Sequence, residues 1–325
     1  FHAVMNTKTS QGAIAWGISL VTFPWLALPL YAVFGRSKFH GYVLLRHVKE
    51  EKIHHIIDQC SINATEKQIV QKHNSKIGAA LTRLADLPIT RFNRSRLLID
   101  GKETFQSIFN SIDAANEYIL IEFFIIKDDR LGRELKNRLI HKARGKVRVY
   151  FLYDEIGSHK LPKSYIREME REGIVTSAFQ TTQGRTNRFQ LNFRNHRKIV
   201  VVDGLCAFVG GHNVGDEYVS GHPKLGSWRD THVKVEGPVV QAIQYCFLED
   251  WYWATSEVPD LDWQFQKAQG RSENTLLIPT GPADDLENCG LMFTLAIKSD
   301  LEPISIASTY FVPDQQNIGA LNLAD

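Results

Sequence analysis

A histidine and a lysine separated by one residue are the side chains in this sequence best suited to chemistry. His196 and Lys198, with Asp203, form an H-x-K-x4-D motif, and a G-G-x-N turn follows at residues 210–213. Residues two apart on a strand share a face, so the first two side chains are expected to point the same way. A neutral imidazole can attack a phosphodiester, and an ammonium and a carboxamide can stabilise charge on its oxygens. The motif therefore predicts phosphoryl transfer through His196, with Lys198 and Asn213 binding the phosphate.

Apolar strands alternate with amphipathic helices around this motif from residue 96 onward. Strands are predicted at 96–100, 118–126, 146–154, 198–203 and 206–211, and helices at 102–115, 131–144 and 163–173. Such alternation is typical of an α/β fold with a central parallel or mixed sheet. The predicted fold class is α/β, a mixed sheet flanked by helices and preceded by a transmembrane helix.

The composition excludes several function classes. The chain has 325 residues, of which 43% are hydrophobic and 23% charged, so a disordered tail or low-complexity scaffold is excluded. Its 38 basic residues against 36 acidic ones give a net charge of +2, with no overall basic excess of the kind that favours nucleic acid. The four cysteines lie far apart without a C-x-x-C pair, and His54 and His55 are a poor metal pair because they face different sides of a helix. No metal and no nucleic acid partner is predicted.

An uncharged apolar segment lies near the start of the chain. Residues 9–35 contain no charged side chain, and a helix of about 20 apolar residues suffices to cross a bilayer. The segment predicts a transmembrane helix kinked at Pro24 and Pro29, the alternatives being a buried soluble helix or a signal peptide. Residues 36–96 carry twelve Lys/Arg and five Asp/Glu, a net charge of +7. This charge favours the cytoplasmic side and contact with anionic lipid, although a solvated helix face is the alternative for its distal part.

One strand–helix–strand unit recurs within the sequence. The pattern of 97–100 followed by 119–128 returns as LLIPTG at 276–281 followed by ISIASTYFVPD at 304–314. The recurrence predicts an internal duplication whose second copy is only begun.

These motifs together resemble the phospholipase D superfamily, and most closely the bacterial cardiolipin synthases. The matching stretches run in family order along nearly the whole chain: NTKTSQGAIAW with the apolar segment, YDEIGS, NHRKIVVVDG, GGHNVGDEY, SWRDTHVKVEGP and STYFVPD. The resemblance implies a membrane-bound phosphatidyltransferase that joins two phosphatidylglycerols into cardiolipin and releases glycerol. The implied route passes through a phosphohistidine and uses no metal or other cofactor.

Carried over to this sequence, the resemblance makes His196 the nucleophile or the general acid, and it makes Lys198 and Asn213 phosphate binders. Asp203 completes the catalytic motif, although bracing of its loop is the role favoured for it. Asp230 is expected to orient the His196 ring, because one imidazole nitrogen must be held protonated; a surface salt bridge is the alternative.

Glu122 is a further candidate for the site. It lies inside an apolar strand, where burial of an unpaired carboxylate is costly. It is expected either to line the pocket or to have a structural partner.

The family carries two H-x-K-x4-D halves that share one active site, whereas this chain contains the motif once. The expectation is therefore a chain truncated before its second motif, with the site completed by a C-terminal half or by a homodimer. The predicted regions are 1–40, a transmembrane segment; 41–95, a basic helical linker; 96–260, a first catalytic-type domain; and 261–325, the beginning of a second. The predicted location is the bacterial inner membrane, with the catalytic domain on the cytoplasmic side. Two alternatives stay open: a hydrolase of the same superfamily, and a catalytically incomplete membrane-anchored fragment.

Overall fold

A mixed β-sheet lies at the centre of the computed structural model, which describes residues 3, 10–35, 69–70, 76–179, 194–221, 226–281, 288–299, 305–306 and 312–324. Within these residues the strands are β1 Thr90–Ile99, β2 Tyr118–Phe123, β3 Arg148–Asp154, β4 Val175–Phe179, β5 Ile199–Val202, β6 Cys206–Gly210, β7 Thr231–Glu236 and β8 Glu273–Thr275. Their order across the sheet is β4-β3-β2-β5-β6-β7-β1-β8. β2, β3 and β4 run parallel, and the other neighbouring pairs are antiparallel. The predicted mixed α/β sheet is confirmed.

Helices cover both faces of this sheet. The described helices are α1 Ser10–Thr22, α2 Pro24–Phe34, α3 Lys76–Ala85, α4 Asp100–Ala114, α5 Arg130–Arg144, α6 Lys163–Arg171, α7 Asp216–Ser220, α8 Val239–Thr255, α9 Asn288–Ser299 and α10 Gln315–Ala324. Apolar side chains of α4, α5 and α6 pack on one face, called here the three-helix face. Those of α8 pack on the other, called here the α8 face.

Strand β5 is buried on both sides, which explains its continuous apolar sequence. Val200 and Val202 point to the three-helix face, whereas Ile199 and Val201 point to the α8 face. All four are buried. The strand is thereby fixed in the middle of the sheet. The residues that precede it lie at its N-terminal end, and their side chains continue to alternate between the two faces.

Strand β1 begins at Thr90, six residues before the predicted strand and inside the region predicted as a helical linker. The sequence does not reveal the start of this strand, because its first residues are mostly polar. The strand is also irregular there, since Phe92 has a positive φ of 63°. The strand pairs with β7 from Arg94 to Ile99. Helix α4 follows without a loop, and Glu103 on its first turn accepts a hydrogen bond from the Ile99 N–H at 3.0 Å.

The apolar N-terminal segment forms two helices, where the sequence predicts one. Helix α1 ends at Thr22, and Pro24 occupies the first position of α2, which proline's fixed φ favours. The rings of Trp16 and Tyr31 contact each other, with centroids 5.1 Å apart. Because 15 residues of straight helix would separate them by about 22 Å, the chain reverses between the two helices. Among the described residues, no helix combines the length and apolarity needed to cross a membrane.

The predicted second copy is described only in part. Glu273–Thr275 forms β8, which pairs with β1, but residues 276–281 form no strand. Residues 307–311 of the second predicted strand lie outside the described residues, as do 36–68 and 71–75 of the basic stretch.

Candidate active site

His196 and Lys198 lie together at the N-terminal end of β5, as their spacing predicts. Lys198 Nζ stands 3.0 Å from His196 Nδ1 and donates a hydrogen bond to the His196 carbonyl oxygen at 2.7 Å. Lys198 is buried, whereas His196 is exposed. The Phe124 ring closes one side, with its centroid 4.5 Å from that of His196 and 5.6 Å from Lys198 Nζ. The result is an accessible imidazole beside a buried amine.

Both side chains have pKa values shifted toward the neutral form. Burial lowers the pKa of His196, the Lys198 charge lowers it further, and Asp154 opposes the shift. Burial also lowers the pKa of Lys198, to about 8, against the opposing charges of Asp230 and Glu122. At neutral pH the imidazole is therefore uncharged and the lysine is still mostly protonated, which is the combination that nucleophilic attack on a phosphate requires.

The contact between the two side chains determines the imidazole tautomer. An ammonium can only donate, so His196 Nδ1 accepts from Lys198 and the ring proton lies on Nε2. This form presents an N–H donor to the pocket, as a general acid does. Attack by Nε2 instead requires the proton on Nδ1, held there by an acceptor.

Asp230 was predicted to be that acceptor, and the structure does not bring it to His196. Its Oδ1 accepts from the Thr231 N–H at 2.7 Å, and its carboxylate packs against the Cα of Gly211. Its charge acts on Lys198 from that position. The described contacts thus give Asp230 an electrostatic interaction with the neighbouring lysine in place of the predicted hydrogen bond, and the Thr231 N–H holds the carboxylate beside Gly211.

Asn213 lies next to the site with its amide already in use. Its Oδ1 accepts from the Ile125 N–H at 3.0 Å, and its Nδ2 donates to the Tyr218 hydroxyl at 3.0 Å. The side chain therefore ties the segment after β2 to the turn after β6. One amide hydrogen is left for a phosphate oxygen.

Asp203 lies outside this cluster, at the opposite end of β5. Its carboxylate accepts from the backbone N–H groups of Asn116, Glu117 and Tyr118 at 2.8–2.9 Å. It holds the start of β2 and contacts no group of the site. These contacts support the bracing role favoured for Asp203, and its place in the catalytic set stays a prediction.

Replacing Asp203 with alanine is expected to destabilise the fold without slowing chemistry in the molecules that remain folded. Three buried or half-buried N–H groups lose a charged acceptor, so the free energy of unfolding should fall by about 3 kcal/mol. Urea unfolding followed by circular dichroism measures this loss. Asp260→Ala is the control, because that side chain is 99% exposed. A rate loss per folded molecule without loss of stability would contradict the bracing role.

The backbone of residues 195–198 is called here the H-x-K ribbon. A cluster of buried polar side chains lies on the side of this ribbon opposite His196 and Lys198. Asn195 donates to Glu122 Oε1, and Arg197 donates to Asp250 Oδ2 at 2.6 Å and to the Cys246 carbonyl oxygen at 3.3 Å. Glu122 belongs to the α8 face, because its neighbour Leu120 packs there. Of the two roles predicted for Glu122, the structure gives the structural partner and not a place in the His196 pocket.

Burial and the nearby Asp250 carboxylate raise the pKa of Glu122 well above its ordinary value, and the Arg197 charge offsets this only in part. Glu122 is therefore more readily protonated than an exposed glutamate.

Phe124 and the residues that support it are the part of the site that sequence reasoning missed. Ser158 Oγ accepts from the Ile126 N–H and donates to the Phe124 carbonyl oxygen. Asp154 accepts from the Gly157 N–H at 2.8 Å and from the Asn195 N–H at 3.0 Å. The YDEIGS stretch thus positions both the aromatic wall and the residue preceding His196. A buried Asp followed by Gly and Ser after a strand was the available signal.

Replacing Gly157 with alanine is expected to slow the reaction by disturbing this wall. An added Cβ would overlap the Phe124 carbonyl oxygen, so the segment carrying the ring must move. A displacement of about 1 Å near reacting groups can lower a rate by roughly 10²-fold. The measurement is the transfer rate per folded molecule, with Gly319→Ala as control because nothing lies within 4 Å of its added Cβ. An unchanged rate would show that the wall does not position the imidazole.

Two further histidines, His212 and His232, are buried close to Lys198. His212 Nδ1 and His232 Nδ1 are 3.0 Å apart, and the His212 N–H also points at His232 Nδ1 at 3.3 Å. His232 Nδ1 therefore accepts both hydrogen bonds, so the His232 ring is neutral with its proton on Nε2, and His212 carries a proton on Nδ1. Burial lowers the pKa of His232 to about 3, and the charge effects of His212 and Lys198 add to this. The sequence predicted His212 only as a permissive turn residue.

Comparison with known proteins identifies the family. The family described as "Cardiolipin synthase, PLD-like domain" matches residues 108–251. The cardiolipin synthase A of Pseudomonas fluorescens is 45% identical over 328 residues, which cover 99% of this chain and 68% of that protein. The chain belongs to the cardiolipin synthase family. The cardiolipin synthase A of Pseudomonas putida is similar to the same extent, with 43% identity over 99% of this chain and 68% of its own length.

Solved structures resemble the fold more distantly. NucT from Helicobacter pylori aligns with 50% of this chain and 98% of its own at 12% identity, with a TM-score of 0.41. Phosphatidylserine synthase from Haemophilus influenzae covers 61% of this chain and 44% of its own at 16% identity, also with a TM-score of 0.41. Likenesses at this level carry no inference from those proteins to this one. The cardiolipin synthase assignment rests on the sequence relatives.

Proposed function

We propose that this chain carries the first half-site of a cardiolipin synthase, in which His196 takes the phosphatidyl group from one phosphatidylglycerol. The observation that carries the proposal is the accessible, neutral imidazole held 3.0 Å from a buried, protonated lysine. With the ring proton moved to Nδ1, His196 Nε2 forms a bond to phosphorus while the bond from phosphorus to the glycerol oxygen breaks, and a second acid gives that oxygen its proton. The hydroxyl of a second phosphatidylglycerol then displaces the histidine and returns a proton to the second acid, which gives cardiolipin and leaves the enzyme unchanged.

Lys198 supplies the positive charge for the phosphate in both steps. Its ammonium stands within hydrogen-bond distance of the imidazole, so a phosphate bonded to His196 lies within its reach. Burial strengthens the interaction because the surroundings cannot screen it as water does. The remaining hydrogen of the Asn213 amide provides a second donor. No metal enters this scheme.

A second acid is required for the departing glycerol oxygen. The chain contains H-x-K-x4-D once, so we infer that the acid comes from a second histidine, supplied by a C-terminal half or by a second copy of the chain. The tautomer seen at His196, with its proton on Nε2, is the form such an acid has. Each histidine would therefore alternate between donor and nucleophile during the cycle.

The substrates place the enzyme at a membrane. We propose the inner membrane of a bacterium, with the sheet domain on the cytoplasmic side and phosphatidylglycerol drawn from an anionic bilayer. The support is the uncharged segment 9–35, whose large apolar side chains are exposed; Trp25 is 94% and Val21 83% exposed. The basic stretch that follows it provides the attraction to anionic headgroups.

The test is an assay of residues 1–325 in mixed micelles with labelled phosphatidylglycerol. Labelled cardiolipin together with free glycerol is the expected result. Phosphatidic acid without cardiolipin would identify a hydrolase, and added ethanol separates the two because a transferase also makes phosphatidylethanol. A folded chain that yields neither product would show that a second copy does not supply the acid, and would leave a C-terminal half as its source.

A further inference from the structure

Two buried carboxyl groups lie directly beneath the H-x-K ribbon, on the face that the phosphate does not reach. Glu122 is 1% exposed and Asp250 is 3% exposed. Each is tied to one of the two residues that alternate with the reactive pair: Asn195 donates to Glu122 and Arg197 donates to Asp250. The reactive residues and the anchored residues thus interleave along four positions of chain.

One oxygen of Glu122 lacks the hydrogen bond that a buried carboxylate needs. Its Oε2 is buried without a hydrogen-bond partner in the part of the chain that the structure describes, and the Asp250 carboxylate lies close enough to raise the Glu122 pKa further. An ionised carboxylate oxygen buried without a donor, next to a second carboxylate, is costly, so one of the two acids is expected to hold a proton.

The hydrogen bonds show which acid holds it. Asp250 Oδ2 accepts from the guanidinium, a contact that needs a carboxylate of full charge to be strong. Glu122 Oε1 accepts only from a neutral amide, and its Oε2 is buried without any protein donor among the described residues. A proton on Oε2 converts this orphaned oxygen into a donor toward the adjacent Asp250 carboxylate.

We propose that Glu122 and Asp250 are positioning residues that share one proton, carried on Glu122, and that this neutral–ionised pair fixes Asn195 and Arg197 and thereby aims His196 and Lys198 into the pocket. The proposal rests on the proposed function of His196. Because the pair lies beneath the ribbon, it acts on the position of His196 through the backbone of residues 195–198, and an ionised Glu122 would in addition raise the pKa of Lys198. Asn195 Oδ1 completes the link by accepting from the Arg197 N–H at 3.0 Å.

The two acids are therefore expected to respond oppositely to amide substitution. In Glu122→Gln the amide oxygen accepts from Asn195 and the amide hydrogen replaces the proton toward Asp250, so transfer activity should stay near that of the wild type. Asp250→Asn removes the charge that holds Arg197, and the displaced ribbon should lower the transfer rate by roughly 10²-fold. Glu257→Gln, at an exposed position, is the matched control.

Infrared spectroscopy tests the proton directly and does not depend on activity. The wild-type protein at pH 7 should show the carbonyl stretch of an un-ionised carboxylic acid, which disappears in Glu122→Gln and persists in Glu257→Gln. A wild-type protein that shows this band but makes no cardiolipin would overturn the proposed function and not the proton pair. An absent band, or a Glu122→Gln variant as damaged as Asp250→Asn, would overturn the pair. If Asp250→Asn does not fold, the band and the Glu122→Gln rate still decide.

Discussion

Replacing His196 with alanine is expected to abolish cardiolipin formation, with a loss of at least about 10⁴-fold in the transfer rate. The imidazole is the only nucleophile in the described pocket that is both exposed and neutral near pH 7, and Lys198 and Phe124 hold it in place. Neither of those neighbours can accept a phosphatidyl group in its stead. The measurement is labelled cardiolipin and released glycerol from labelled phosphatidylglycerol.

Trapping of the intermediate makes this prediction specific to covalent catalysis. The phosphorus–nitrogen bond of a phosphohistidine survives alkali and is lost in acid, whereas alkali cleaves fatty-acyl esters. With the label on phosphorus, an alkaline quench should therefore retain label on the wild-type protein and none on His196→Ala. The control is His141→Ala, which changes an exposed histidine at the end of α5. Label retained on a folded His196→Ala protein would move the nucleophile to another residue.

Replacing Lys198 with methionine should lower the transfer rate by about 10²–10³-fold, because one buried donor to the phosphate oxygens is lost. Methionine keeps the length and apolar stem, so packing against Phe124 is largely preserved. Lys160→Met, at an exposed position, controls for loss of a positive charge. A change confined to KM would show that Lys198 binds the ground state and the transition state equally.

The same lysine sets an alkaline limit on the wild-type rate. Burial lowers the pKa of Lys198 to about 8, so the ammonium is present below that pH and is lost as the pH rises through it. The rate should therefore fall above about pH 8. In Lys198→Arg this limb should disappear, because a guanidinium keeps its proton across the measurable range. A limb that persists in the arginine variant would belong to a different group.

The sequence predicts the centre of the fold and of the site because both follow from short-range patterns. The apolar run after residue 117 forms β2, and the one-residue spacing of His196 and Lys198 places both side chains on one face. Alternation also implies that Asn195 and Arg197 face the other way, but their partners on β2 and α8 depend on packing between distant segments.

The details that the sequence does not reveal are those that depend on tertiary geometry. The carboxylate of Asp230 accepts from the Thr231 N–H and lies beside Gly211, and neither contact follows from a local pattern. The break between α1 and α2 was predicted as a kink at Pro24, since a proline at an N1 position and a proline inside a helix look alike in sequence. Phe124 has no motif of its own, and only its contact with the imidazole ring marks it.

The strand order also determines when during synthesis the site can form. Strand β1 emerges first but pairs on one side with β7 and on the other with β8, and Ser95 finds its hydrogen-bond partner Glu273 178 residues later. Asp250, the partner of Arg197, likewise follows it in the sequence by 53 residues. Such long separations slow folding and leave sheet edges exposed in the nascent chain. The histidine is thus translated well before the residues that aim it, and a ribosome-bound chain ending before α8 should hold the motif without an ordered site.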